Sequence, residues 1–182
     1  WGTHSSFNTS SNLYSIEFPY KVHDIFNTYH DAVLLVDKGT KTVSSTAGHN
    51  LMNNHPFADK RFQIAQDNID KLSAILKNGD TSEFVKLVED EALMLHGLMM
   101  TSDPSYILIK SKTLQIIESI REFRSKNNIP VCFTLDAGAN VHVLFPDKYS
   151  DIVYDFIERN LRIHCENNSY IRDCVGFGAK QL

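Results

Sequence analysis

The chain has 182 residues, 42% of them apolar and 22% charged, with a formal net charge of −4. That is enough chain for one domain with a sizeable core, and the composition excludes a disordered segment. No basic block is present, which argues against a nucleic-acid or membrane-surface binder, and no apolar run approaches the length of a membrane span.

The cysteines Cys132, Cys165 and Cys174 are odd in number and show no CxxC spacing, so a reduced, cytoplasmic compartment is expected. Cys132 reads as a small core residue. The chain carries no basic-then-apolar leader and starts Trp1-Gly2-Thr3 without an initiator Met, as a piece of a longer chain would.

Residues 1–17 are rich in Ser, Asn and Thr and read as a tail or loop. Ala32–Asp37, AVLLVD, is a continuous apolar run and predicts a buried strand. Lys38-Gly39-Thr40-Lys41 is a turn, and Val43–Gly48 is small and hydroxylated. A helix is predicted over Pro56–Lys77, with Phe62, Ala65, Ile69, Leu72 and Leu76 inward at spacings of three and four, ended by Asn78-Gly79. A second starts near Asp80, with Glu83 as capping partner and Phe84, Val88, Ala92, Leu95 and Met99 on its buried face. The short link makes the two an antiparallel pair. A third helix is predicted over Thr113–Lys126.

Two strands, Val131–Leu135 and Val141–Phe145, then flank the five-residue turn Asp136-Ala137-Gly138-Ala139-Asn140. A fourth helix over Tyr149–Leu161 and a closing strand over Ile171–Gly178 complete the chain. Strands and helices mix without βαβ alternation. The expected fold class is therefore α+β, an antiparallel β-sheet with helices packed on one face.

Asp136 would sit at the mouth of a hairpin, where a carboxylate can act as a general base or orient a hydroxyl. It can equally be a plain turn residue. Gly138 would let a substrate approach closely. Ser44-Ser45-Thr46 offers hydroxyls and amides for phosphate oxygens, or an ordinary Ser-rich loop or helix cap. No HxxxH or HxH pair supports a His-based zinc site, so no metal ligands are assigned. His142 alternates with Val141 and Val143 and should face a polar surface. His96 lies mid-helix near the apolar face, where a hydrogen-bonded structural histidine is expected. The Met94, Met99, Met100 cluster reads as core filler. No Walker loop, GxSxG or dinucleotide fingerprint is present.

Four stretches occur in order and at fitting separations: VSSTAG at 43–48, LHGLMMTSDPSYI at 95–107, FTLDAGANVHVLF at 133–145 and VGFGA at 175–179. Together they resemble the C-terminal half of the diphosphomevalonate decarboxylases, a branch of the superfamily of galactokinase, homoserine kinase and mevalonate kinase. The resemblance runs from about Phe18 to Leu182. It implies an ATP-dependent carboxy-lyase that phosphorylates the 3-hydroxyl of mevalonate 5-diphosphate, loses phosphate and carbon dioxide, and yields isopentenyl diphosphate. Asp136 matches the family's catalytic Asp and Ser45 a substrate-pocket Ser. Thr46 stands where some members carry an Arg that reaches the diphosphate, a charge that Thr cannot supply. Ala137 and Gly138 fall in the substrate-binding turn.

The resemblance further implies ATP and Mg2+ as cofactors, bound mainly by residues upstream of Trp1. Residues 1–17 are then a tail or loop from the interdomain region, residues 18–182 the C-terminal domain, and the chain by itself inactive. The family is often dimeric, which leaves a homodimer open. Two other readings stand beside it: a sister small-molecule kinase of the same superfamily, and a non-catalytic α+β binding or dimerisation module.

Overall fold

The computed structural model describes residues 2–39, 52 and 54–176. In chain order these form strands β1 (Gly2–His4), β2 (Phe7–Ser11) and β3 (Tyr29–Leu34), and helices α1 (Ala58–Asn78), α2 (Thr81–Thr101) and α3 (Ser111–Asn127). Strands β4 (Cys132–Leu135) and β5 (Val141–Pro146), helix α4 (Ser150–Phe156) and strand β6 (Tyr170–Cys174) follow.

The central sheet has the order β4-β5-β3-β6, with every pair antiparallel. Phe133 and Ala32 both lie opposite Val143, and Leu135 and Leu34 both lie opposite Val141. Because successive side chains alternate in a strand, one face collects Ala32, Leu34, Phe133, Leu135, Val141, Val143 and Phe145, each 4% exposed or less. Ile116, Ile117 and Ile120 of α3, and Val153 and Phe156 of α4, pack over that face. Each such side chain removed from water stabilises the fold by roughly 1.5–3 kcal/mol. This is the α+β sheet with a helical layer that the sequence predicts.

The opposite face is divided. Tyr29, in the alternate register, joins Phe26 and Ile75, with Leu144 and Phe84 packed against them. Beyond that small cluster the same face carries Thr134, His142 and Asp31.

Helix α1 departs from expectation. Phe62 and Ile69 are 54% and 41% exposed, while Asn68, Ser73 and Ile75 are buried. Its contact with α2 is polar at Glu91, to which Arg61 and Asn68 both donate, and apolar near Ile75, where Phe84 and Leu87 pack. The sheet's apolar face is already occupied by α3 and α4, so the stripe of Phe62 and Ile69 has no core to enter. The α1–α2 link is as predicted: Gly79 has φ 77°, and an added Cβ there would lie 2.7 Å from the His23 ring. Asp80 caps α2 by accepting from the Ser82 and Glu83 amides. Glu89, 5% exposed, ties α2 to α3 through Arg124, which also donates to the Val131 carbonyl.

Three further boundaries differ. Residues 2–11 form a hairpin rather than a loop, because side chains complete its bonds: the His4 amide donates to Ser10 Oγ at 2.8 Å, and His4 Nε2–H reaches the Gln66 carbonyl on α1. Strand β3 starts at Tyr29 and ends at Leu34, before the end of the apolar run, since the Leu35 amide turns to Ser169 and the Asp37 amide to Asn140. The predicted fourth helix is a 3-10 turn (Asp147–Tyr149), α4, a π segment (Ile157–Leu161) and another 3-10 turn (Arg162–His164), and Ile152 within it is 44% exposed. Strand β6 ends at Cys174, and the predicted end at Gly178 lies outside the described residues.

Candidate active site

Strand β4 delivers the chain to Leu135, which is buried, and the next residue, Asp136, is exposed. The turn between β4 and β5 is held from several sides. The Asp136 carbonyl accepts from the Gly138 amide at 2.7 Å and from His96 Nε2–H on α2 at 3.0 Å. Ala139 is buried, and its carbonyl accepts from Thr113 Oγ1 of α3 at 2.7 Å. Asn140 Oδ1 accepts from the Asp37 amide just past β3 at 3.0 Å. Bonds to a buried carbonyl matter because leaving it unpaired costs about 1–3 kcal/mol.

Among the described residues the space at the turn is open: a Cβ added at Gly138 would meet none of them within 4 Å. Asp136, Ala137 and Gly138 are thus brought together on a rigid support with an accessible side. Ser44, Ser45 and Thr46 lie outside the described residues.

Charged groups surround the turn. Asp37 pairs with Lys110, whose hydrogen bond, with that from the Gly39 amide, holds the Asp37 carboxyl below its usual range. His142, opposite Thr134, places Nδ1 2.9 Å from Asp31 Oδ2. This bond raises the His142 pKa against its partial burial, and the charge of Asp136 adds to the rise. The polar surface predicted for His142 is present, although the residue is only 24% exposed. His96 moves the other way: burial lowers its pKa, opposed by the bond to the Asp136 carbonyl.

The site can therefore present one carboxylate, on a fixed backbone, to a hydroxyl approaching from the open side. Grooves of ≈ 520 Å³ between α1 and α2, ≈ 240 Å³ between the hairpin and α1, and ≈ 410 Å³ beside Arg124 and Tyr149 are not lined by Asp136. Among the described residues, no group of three His, Cys, Asp or Glu side chains could hold a metal ion. The struts of the turn are what sequence reasoning missed. Helical spacing placed His96 near a buried face, but only the packing of α2 against β4 shows which carbonyl it meets.

The fold and this turn define an α+β domain that offers a single positioned carboxylate. Residues 32–177 match the family model of the mevalonate 5-diphosphate decarboxylase C-terminal domain, and the chain belongs to that family. It is 26% identical over 89 residues to the phosphomevalonate decarboxylase of Haloferax volcanii, covering 49% of this chain and 28% of that one. Mevalonate pyrophosphate decarboxylase from Streptococcus pyogenes superposes with a TM-score of 0.76 at 22% identity, over 89% of this chain and 49% of that one. MDDEF in complex with MVAPP, AMPPCP and magnesium gives a TM-score of 0.73 at 23% identity, over 84% and 46%. The chain spans about half the length of these solved relatives.

Proposed function

We propose that the full-length protein is an ATP-dependent decarboxylase that converts mevalonate 5-diphosphate into isopentenyl diphosphate, and that this chain supplies the Asp136 side of its active site. The observation that carries the reading is the exposed Asp136 carboxylate on a turn pinned from α2, α3 and the end of β3, in a chain of this family. Asp136 accepts the proton of the substrate's 3-hydroxyl as the phosphoryl group is transferred and passes it on to solvent, and the restored carboxylate charge then steadies positive charge developing at that carbon as the phosphate leaves. The open side at Gly138 admits the substrate beside Ala137. Ser45 and Thr46 are assigned to the same pocket on the resemblance of their motif.

ATP would supply the phosphoryl group, and Mg2+ would neutralise its charge. The solved relative carrying MVAPP, AMPPCP and magnesium supports both cofactors. Among the described residues no cluster of side chains fits a metal ion, and the resemblance assigns the nucleotide and its ion mainly to residues upstream of Trp1. Residues 18–182 are accordingly the C-terminal domain, and the 182-residue chain alone is inactive. Three unpaired thiols support a cytoplasmic setting, and no described helix is long and apolar enough to cross a membrane.

The test follows carbon dioxide and phosphate together, from full-length protein given Mg-ATP and mevalonate 5-diphosphate. Equal release of both, lost in Asp136→Asn, is expected. ADP without carbon dioxide would assign a kinase instead. A second reading changes only the substrate, to mevalonate 5-phosphate. It is favoured by the Haloferax volcanii relative's name and by Thr46, which brings no charge where some members place an Arg. Comparing kcat/KM for the two substrates separates them.

A further inference from the structure

Helix α2 buries His96 at 2% exposure, on a face shared with Ala92 and Met99. A leucine would fill such a place without needing a polar partner, whereas a buried imidazole needs its hydrogen bonds met. The bond it makes goes to the backbone of Asp136, Nε2 to carbonyl at 3.0 Å. A carbonyl only accepts, so the proton is on Nε2. Burial lowers the ring's pKa and so favours its neutral form, while the carbonyl acceptor selects the Nε2–H tautomer.

The same carbonyl takes the Gly138 amide at 2.7 Å, and at the other end of the turn Thr113 holds the Ala139 carbonyl at 2.7 Å. With both ends clamped, the Asp136–Ala137 peptide cannot rotate freely. The Cα–Cβ direction of Asp136, and with it the aim of the carboxylate, is set from α2.

We propose that His96 is the positioning residue of Asp136, acting through the Nε2–H bond to its backbone carbonyl rather than by touching substrate. The proposal rests on the reading of Asp136 as the catalytic carboxylate. A shift of about 1 Å in such a group can cost about a hundredfold in rate. Ala137 and Gly138 meet the substrate from the same turn, so a small part of the loss falls in KM, while the larger part, from the aim of the carboxylate, falls in kcat.

The experiment uses the full-length protein with Mg-ATP and mevalonate 5-diphosphate, and compares His96→Leu, His96→Gln and His96→Asn. The glutamine amide reaches about as far as Nε2, while the asparagine amide stops near the position of Nδ1. His96→Leu is expected to lose kcat by about a hundredfold, with KM changed by less than about threefold. His96→Gln should recover at least about tenfold of that loss, and His96→Asn should not. In an Asp136→Asn background, His96→Leu should cost nothing further, since the two act as one unit.

Wild-type kcat in His96→Leu, equal kcat in the glutamine and asparagine variants, or additive losses with Asp136→Asn would each overturn the proposal. If His96→Leu does not fold, the glutamine–asparagine pair decides. Full activity in Asp136→Asn alone would bring down the catalytic reading itself, and this proposal with it. That outcome is distinct from an inactive Asp136→Asn alongside an unaffected His96→Leu.

Discussion

The two faces of the central sheet solve different problems. One is closed, with Phe133, Val143 and Phe145 at 0% exposure beneath α3 and α4. The other closes only around Tyr29 and Phe26, and past them it carries Asp31 and His142 in a bonded pair beside the turn of Asp136. Apolar burial on the first face is non-directional and large. On the second face, the Asp31–His142 pair keeps its hydrogen bond and part of its access to solvent, so it contributes little to stability. A sheet built this way can concentrate stability on one side and leave the other free to carry charge.

The strongest challenge to that contrast is Phe133→Ala, which opens a cavity in the closed face. It should cost about 3–5 kcal/mol in urea denaturation. A loss under about 1 kcal/mol would mean that this face is not the stabilising one.

Thr113→Val comes next. It leaves the buried Ala139 carbonyl unpaired and should destabilise the protein by about 1–3 kcal/mol. On the proposed function it should also lower kcat in the full-length protein, since the far end of the turn is released. Unchanged stability and kcat together would show that the turn does not depend on this strut.

The open face should show a smaller, pH-dependent effect. His142 has its pKa raised by the bond to Asp31, so the folded state holds its proton more tightly than the unfolded chain does. Its contribution is full below the unfolded value of about 6.5 and is lost as pH rises through the higher folded value. For a pair exposed at 24% and 33%, at most about 1 kcal/mol is at stake. Denaturation at about pH 6 and about pH 8.5 should reveal it, and Asp31→Asn should flatten the difference. A wild-type contribution that grew with pH would have the wrong sign.

Smallest of all is Phe62→Gln, on the outward side of α1. At 54% exposure, its replacement should shift stability by less than about 0.5 kcal/mol. A loss of several kcal/mol would restore Phe62 to a buried face.

Much of the molecule was legible because its signals are local. Alternating Val, Phe and Leu around DAGAN announce β4, the turn and β5. Asn78-Gly79-Asp80 announces the end of one helix and the start of the next, and the observed αL glycine and Asp80 cap are the physical content of that signal. Asp136, Ala137 and Gly138 were legible in the same way, as neighbours in one turn. Phe62 and Ile69 were misplaced because periodicity says that a helix has an apolar side, but not whether a core remains for it to meet. Residues 2–11 read as a loop in the sequence because the ladder of their hairpin is finished by side chains at contacts that no periodic pattern encodes.

The sequence by itself determined the fold class, the hairpin and the presence of an acid at its mouth, since each depends on residues close together in the chain. Only the tertiary structure decided what holds that acid. His96, Thr113 and Asp37 come from three separate segments and meet the turn at 3.0, 2.7 and 3.0 Å. Hydrogen bonds are short and directional, and contacts between distant segments exist only once packing has set the elements against each other.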